Sequence, residues 1–148
     1  MEDQRLTKRL MEYWNRLRRE ALLPQWAQFN AGAMQDIWGQ CCVWSVTFAD
    51  ISAAVNQFTF EYVGDSAQQA LGKDMTGTMF MSTQQKFPGA RIVTRIEETV
   101  KRALPINDEG TFVNEHNKVV KYRSCLLPFG TKDGRVTHIV LGLSWKAF

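Results

Sequence analysis

Few residues in this chain are of types that do chemistry, and their spacing decides what each could do. His116 and His138 could act as a general base or as axial metal ligands. Cys41, Cys42 and Cys125 could join in a metal or redox cluster if two strands bring them together. Glu61, Asp65 and Asp74 could supply an acid/base pair, yet nothing in their spacing marks one. The segment from Gly72 to Gly77 lacks the spacing of a phosphate-binding loop, and no serine stands in a nucleophile elbow. The ordinary roles are the better expectation: buried small hydrophobes for the cysteines, a hydrogen-bonded strand residue for His138, and solvated carboxylates for the acids. Cys41 and Cys42 are adjacent, which rarely suits disulfide geometry, and the cysteine count is odd. Both facts favour a reducing, cytoplasmic setting.

The bulk properties bound the rest. The chain has 148 residues, of which 45% are hydrophobic and 22% charged. That suits one domain with a sizeable core. The net charge of +3 is far below what nucleic-acid binding usually requires. Basic residues do gather at the start (Arg5, Lys8, Arg9, Arg16, Arg18, Arg19), but Glu2, Asp3, Glu12 and Glu20 are interleaved. This pattern reads as a solvated helix face. The segment Met1 to Arg9 is too polar for a signal peptide, and no apolar run approaches the roughly 20 residues of a membrane span.

The elements follow from periodicity. Leu6, Leu10, Tyr13, Trp14 and Leu17 form one apolar stripe on an amphipathic helix that ends before Pro24. Residues 24–40 are apolar but irregular, with a short helix expected over Ala31–Ile37. Trp14, Trp26 and Trp38 are as well suited to an interface as to a core. Strands are expected over Cys41–Phe48 and Phe58–Val63, with a loop from Ala49 to Gln57. Asp65–Gly72 has a helix start and a glycine stop, and Lys73–Pro88 reads as loop with short helical turns. Ala90–Leu104 is the strongest helix, with Ile92, Ile96, Val100 and Ala103 on one face and Pro105 as its stop. Three strands follow from Thr111, with a turn at His116-Asn117 and an Asp133-Gly134 hairpin before the last strand. That last strand is apolar on one face (Ile139, Leu141, Leu143, Trp145) and small but not polar on the other (Val136, His138, Val140, Gly142, Ser144), so it needs cover on both sides. The N-terminal helix is the available second cover.

Three groups of residues, in this order, carry a resemblance. They are Tyr13-Trp14-Asn15-Arg16-Leu17-Arg18, then Leu71-Gly72 with Met75-Thr76-Gly77 and Phe80, then Leu127-Pro128-Phe129-Gly130 with Asp133-Gly134 and Ile139-Val140-Leu141-Gly142. Together they resemble the single-domain PAS-like family common in alphaproteobacteria. The resemblance implies an α+β fold: a five-stranded antiparallel sheet with helices on one face, here with an added N-terminal amphipathic helix over residues 1–24 before a domain over 25–148. It implies a sensory or interaction module that works by binding, with no catalytic residues to carry over. Haem-binding members place a histidine on the long helix, and none stands in Ala90–Leu104. Flavin photosensors need a cysteine in an Asn-Cys-Arg motif, which is absent here. Haem and flavin are therefore not supported, and the cofactor is left open.

The expected site lies between the sheet and the long helix, with Trp44, Phe60, Ile96, Val100, Tyr122 and Leu141 as candidate lining. Which strand faces look inward is undetermined at this stage. Leu10, Trp14 and Leu17 are candidate dimer contacts. The expected partners are a second copy, an unidentified signalling protein and a small-molecule ligand. The alternative is a small α+β-cone enzyme of isomerase or dehydratase type, which would need an ionisable pair, such as His138 opposite an acid, inside a cavity.

Overall fold

The structure is a computed structural model that describes residues 2–50, 55–81 and 90–148. For residues 2–5, 48–50, 55–56, 81 and 90–94 only the backbone is considered. The elements are α1 (Glu2–Arg18), β1 (Cys41–Asp50), β2 (Val55–Val63), α2 (Asp65–Leu71), β3 (Met79–Met81), α3 (Ala90–Arg102), β4 (Ile106–Val113), β5 (Val119–Gly130) and β6 (Val136–Ala147). The six strands form one sheet in the order β3-β2-β1-β6-β5-β4, with every neighbouring pair antiparallel.

The α+β class is as expected, and several details differ. The sheet has six strands rather than five. The additional one, β3, is a short edge strand in a stretch expected to be loop. Its Phe80 pairs with Phe58, so a cross-strand aromatic contact fixes three residues that carry no periodic signal of their own. Strands β1 and β2 also run further than expected, to Asp50 and from Val55. Of the two expected loops, residues 51–54 and 82–89 lie outside the described residues. Between α1 and β1 the chain makes three single 3₁₀ turns, Trp26–Gln28, Ala31–Met34 and Trp38–Gln40, which explains the irregular apolar spacing there. Helix α3 stops at Arg102, and Ala103 turns to a φ of 54° before Pro105.

Strand register assigns the core residues of the sheet to one of two faces. Cys42, Leu141 and Leu126 align across β1, β6 and β5, as do Trp44 with Ile139, and Tyr122 with Trp145. This face looks toward α2 and α3: Trp145 Nε1 donates to Ser66 Oγ at 3.0 Å, and Asp108, which aligns with Ser124, meets Arg95 of α3. Cys41, Gly142 and Cys125 align on the other face, as do Val43, Val140 and Leu127. Here α1 lies across β5 and β6. One core therefore wraps both sides of the sheet, and Leu6, Leu10, Tyr13 and Trp14 belong to it.

The contact that seats α1 is specific. Gly142 leaves a gap in β6, and Leu10 fills it. A Cβ at Gly142 would overlap Leu10 Cδ1 and lie 3.5 Å from Leu6 Cγ. One turn on, Trp14 Nε1 donates to the Pro128 carbonyl at 2.6 Å, and Arg18 stacks over the Trp14 ring at 5.0 Å. Asn30 N–H donates to Tyr13 Oη at 2.8 Å, and Arg9 pairs with Asp36, so the following 3₁₀ segment is tied to the same helix. Full burial of Leu10 and Trp14 contributes about 2–3 kcal/mol each.

A double-mutant cycle checks this packing. Gly142→Ala should destabilise by about 1–3 kcal/mol through overpacking, and Leu10→Ala by about 2–5 kcal/mol through the cavity it leaves. Because one side chain occupies the space that the other would enter, the double variant should be more stable than the sum of the two losses predicts, in urea melts. Strict additivity would refute the seating of Leu10 on Gly142.

Candidate functional site

The face toward α3 carries the candidate site. Trp44 and Phe60 are cross-strand neighbours on β1 and β2, with ring centroids 5.1 Å apart and planes tilted 57°. Leu141 sits beside them on β6, and Tyr122 lies further along β5. Ile96 and Val100, one helical turn apart on α3, come down onto the sheet from above, with Ile96 fully buried and Val100 partly so. All six expected lining residues thus share one face or the helix that covers it. Strand alternation alone could not choose this face, because both faces of β5 and β6 are apolar. The choice is made by α1, which occupies the other.

One ion pair joins the cover to the sheet, and polar contacts within α3 brace it. Arg95 Nη1 lies 2.7 Å from Glu98 Oε2, and Arg95 Nε lies 3.3 Å from Asp108 Oδ1. Arg102 adds a second contact to Glu98 at 3.2 Å. The Glu98 hydrogen bond first, then the Asp108 charge, push the Arg95 titration further upward, so its charge is permanent. Thr99 Oγ1, buried, donates to the Arg95 carbonyl at 2.8 Å. Within the site the polar group that stands out is Trp44 Nε1, which is buried and has no hydrogen-bond partner among the described residues.

The histidines lie elsewhere. His116 is exposed in the β4–β5 turn and borders a surface groove of about 550 Å³ with Asp65, Lys73 and Asp74. His138 points to the α1 face, where it begins a run of stacked rings. Its imidazole lies 4.6 Å from Trp26, Trp26 lies 4.8 Å from Phe29, and Trp38 lies 4.6 Å from Tyr62, each pair within 11° of parallel. Phe29 and Trp38, tilted at 40°, join the two halves. The sequence hid this run because its members come from separate turns and strands. Glu61 does act on His138 electrostatically. However, Glu61 accepts from Ser45 Oγ at 2.7 Å, while His138 Nδ1 meets Thr137 Oγ1 at 3.0 Å. The acid and the base are therefore each engaged by a hydroxyl, on the face away from α3.

The cysteines are divided between the faces. Cys41 and Cys125 flank Gly142 beneath α1, and Cys42 faces α3. Burial pushes the Cys41 and Cys125 thiols up to about 12, and Cys42 higher still. Among the described residues no group of three or more His, Cys, Asp or Glu could hold a metal ion. The expected dimer contacts are placed inside the protomer: Leu10 is 0% exposed and Trp14 2%, with Leu17 partly buried beside them. Contact between copies through these side chains would require α1 to leave its own sheet.

Two outcomes test the electrostatics. The three thiols should resist Ellman's reagent in the native protein and react fully in guanidinium, because the protonated, buried thiol is not the nucleophile. Burial holds His138 below its ordinary value of 6.5, against a weaker opposing pull from Glu61. The unfolded chain then takes up the proton more readily. Stability is therefore full above the unfolded value and is lost as pH falls through the folded one. The melting temperature should fall between about pH 7 and pH 5, and less so in His138→Gln.

Comparison with known proteins agrees with this architecture. A sequence-family model described as a PAS domain matches residues 2–144. No curated protein matches the chain. Among solved structures it is similar to a light-oxygen-voltage domain studied with a flavin analogue, at 8% identity and a TM-score of 0.55, covering 78% of this chain and 82% of that one. It is also similar to the LOV domain of the blue-light photoreceptor Aureochrome1, at 10% identity, a TM-score of 0.53, and 77% and 80% coverage. A third is the PAS domain of the fruit-fly ELK potassium channel, at 12% identity, a TM-score of 0.50, and 76% and 91% coverage. At such identities these likenesses bear on the fold alone. With the family match spanning nearly the whole chain, and a curled antiparallel sheet carrying its helical cover, the protein belongs to the PAS domain family.

Proposed function

We propose that this PAS domain is a sensory module that binds a small ligand between the sheet and α3 and acts on a signalling protein by non-covalent contact. The observation that carries this reading is the convergence of Trp44, Phe60, Tyr122, Leu141, Ile96 and Val100 on one covered face. That interior is mainly apolar, and the Asp108 carboxylate at the edge of the cover is bound by Arg95. Such a site favours binding over catalysis, since general acid–base work needs a group free to exchange a proton. An isomerase or dehydratase would need its ionisable pair inside this space, whereas His138 and Glu61 lie on the opposite face. Self-association fits as an exchange of α1 between two copies, because Leu10 and Trp14 are inside the protomer. Three free, buried thiols suit a reducing compartment. No helix among the described residues is long and apolar enough to cross a membrane.

Native mass spectrometry of the mildly purified protein, compared with its denatured mass, tests both parts of the proposal. We expect a retained small molecule on the 17.0 kDa chain that is lost on denaturation, and an oligomer peak if α1 is exchanged. A bare mass, together with no stabilisation by any member of a neutral small-molecule library, would contradict ligand sensing.

A further inference from the structure

We propose that the Trp44 indole N–H is the hydrogen-bond donor to the bound molecule, and that the site takes a compact, uncharged, mostly apolar ligand carrying one acceptor such as a carbonyl oxygen. This rests on the reading of the α3 face as a ligand site. Trp44 is only 1% exposed, yet its Nε1 has no hydrogen-bond partner among the described residues. Buried N–H groups in folded proteins are almost always paired, so an orphan calls for an explanation. The chain satisfies its comparable indoles: Trp14 Nε1 donates to the Pro128 carbonyl and Trp145 Nε1 to Ser66 Oγ. The side chains aligned with Trp44, namely Phe60 and Ile139, contain no acceptor oxygen. Their backbone amides belong to the sheet ladder, which leaves an acceptor brought by the ligand.

The surroundings narrow the class further. Phe60, Leu141, Phe58 and Ile96 are each 2% exposed or less, so most of the ligand must be apolar. An anion would need a cation at hand, and Arg95 at the edge of the cover is held by Glu98 and Asp108. A neutral acceptor placed against the indole meets no such requirement.

The test uses a matched pair of probes, acetophenone and its hydrocarbon analogue ethylbenzene, with the intact protein. Wild type should bind acetophenone about tenfold more tightly, the worth of one net hydrogen bond. Trp44→Phe keeps an aromatic ring and removes the N–H, so it should bind the two equally. In ¹⁵N-tryptophan spectra of the wild type, the Trp44 indole proton should move downfield with acetophenone and not with ethylbenzene. That readout holds even if the variant fails to fold. Equal binding of both probes by the wild type, a preference that survives in Trp44→Phe, or a Trp44 resonance that does not distinguish them would each overturn the donor role while leaving interior binding intact. If neither probe binds, the ligand-site reading fails and the donor role fails with it.

Discussion

A sheet that is apolar on both faces cannot stand with one face in water, and the rest of this structure depends on how that constraint is met. The residues of β5 and β6 alternate between two buried sides, Leu126 with Leu141 on one and Leu127 with Val140 on the other. Helix α1 covers the second side, with Leu10 in the gap at Gly142 and Trp14 on the Pro128 carbonyl. Only because α1 takes that face does the other become the interior beneath α3. A single glycine therefore contributes to the position of the proposed site without touching it.

The two covers are held differently. Helix α1 is seated by shape and by a buried indole hydrogen bond. Helix α3 is held in part by one ion pair at its edge, where Arg95, braced by Glu98 on the same helix, meets Asp108 of β4. Partly exposed ion pairs contribute little each and depend on salt. A cover joined to the sheet by one such pair suits the ligand entry proposed for this face. Consecutive residues of β6 touch the interior and α1 in turn, Leu141 on one side and Gly142 on the other. A strand one residue thick is the shortest physical route between the two sides.

Much of this could be read in the sequence because period and punctuation are local signals. The stripe of α1, the stop after α3, and the Asp133-Gly134 hairpin, with Gly134 at a φ of 98°, all follow from adjacent residues. The need for cover on both faces of β6 was legible in Val140 and Gly142. The choice of face for the site was not, because it depends on where α1 docks, and docking is a long-range fact. Strand β3 was missed for the same reason: Met79–Met81 becomes a strand only because Phe80 meets Phe58. The ring ladder from His138 through Trp26 to Tyr62 combines residues from two 3₁₀ turns and two strands, and no spacing rule joins them. For Leu10 and Trp14 the sequence leaves both a dimer and a core open, with the protein's own core the safer reading of the stripe, since an amphipathic stripe does not say whose surface it covers.

The central claim is that α1 is an integral layer of the domain and leaves the α3 face as the site. Native-state hydrogen exchange tests it most directly. The account predicts that the amides of residues 10–17 exchange nearly as slowly as those of residues 139–143, because helix and sheet open together. Exchange of residues 10–17 at the rate of a free peptide, while β6 stays protected, would contradict it.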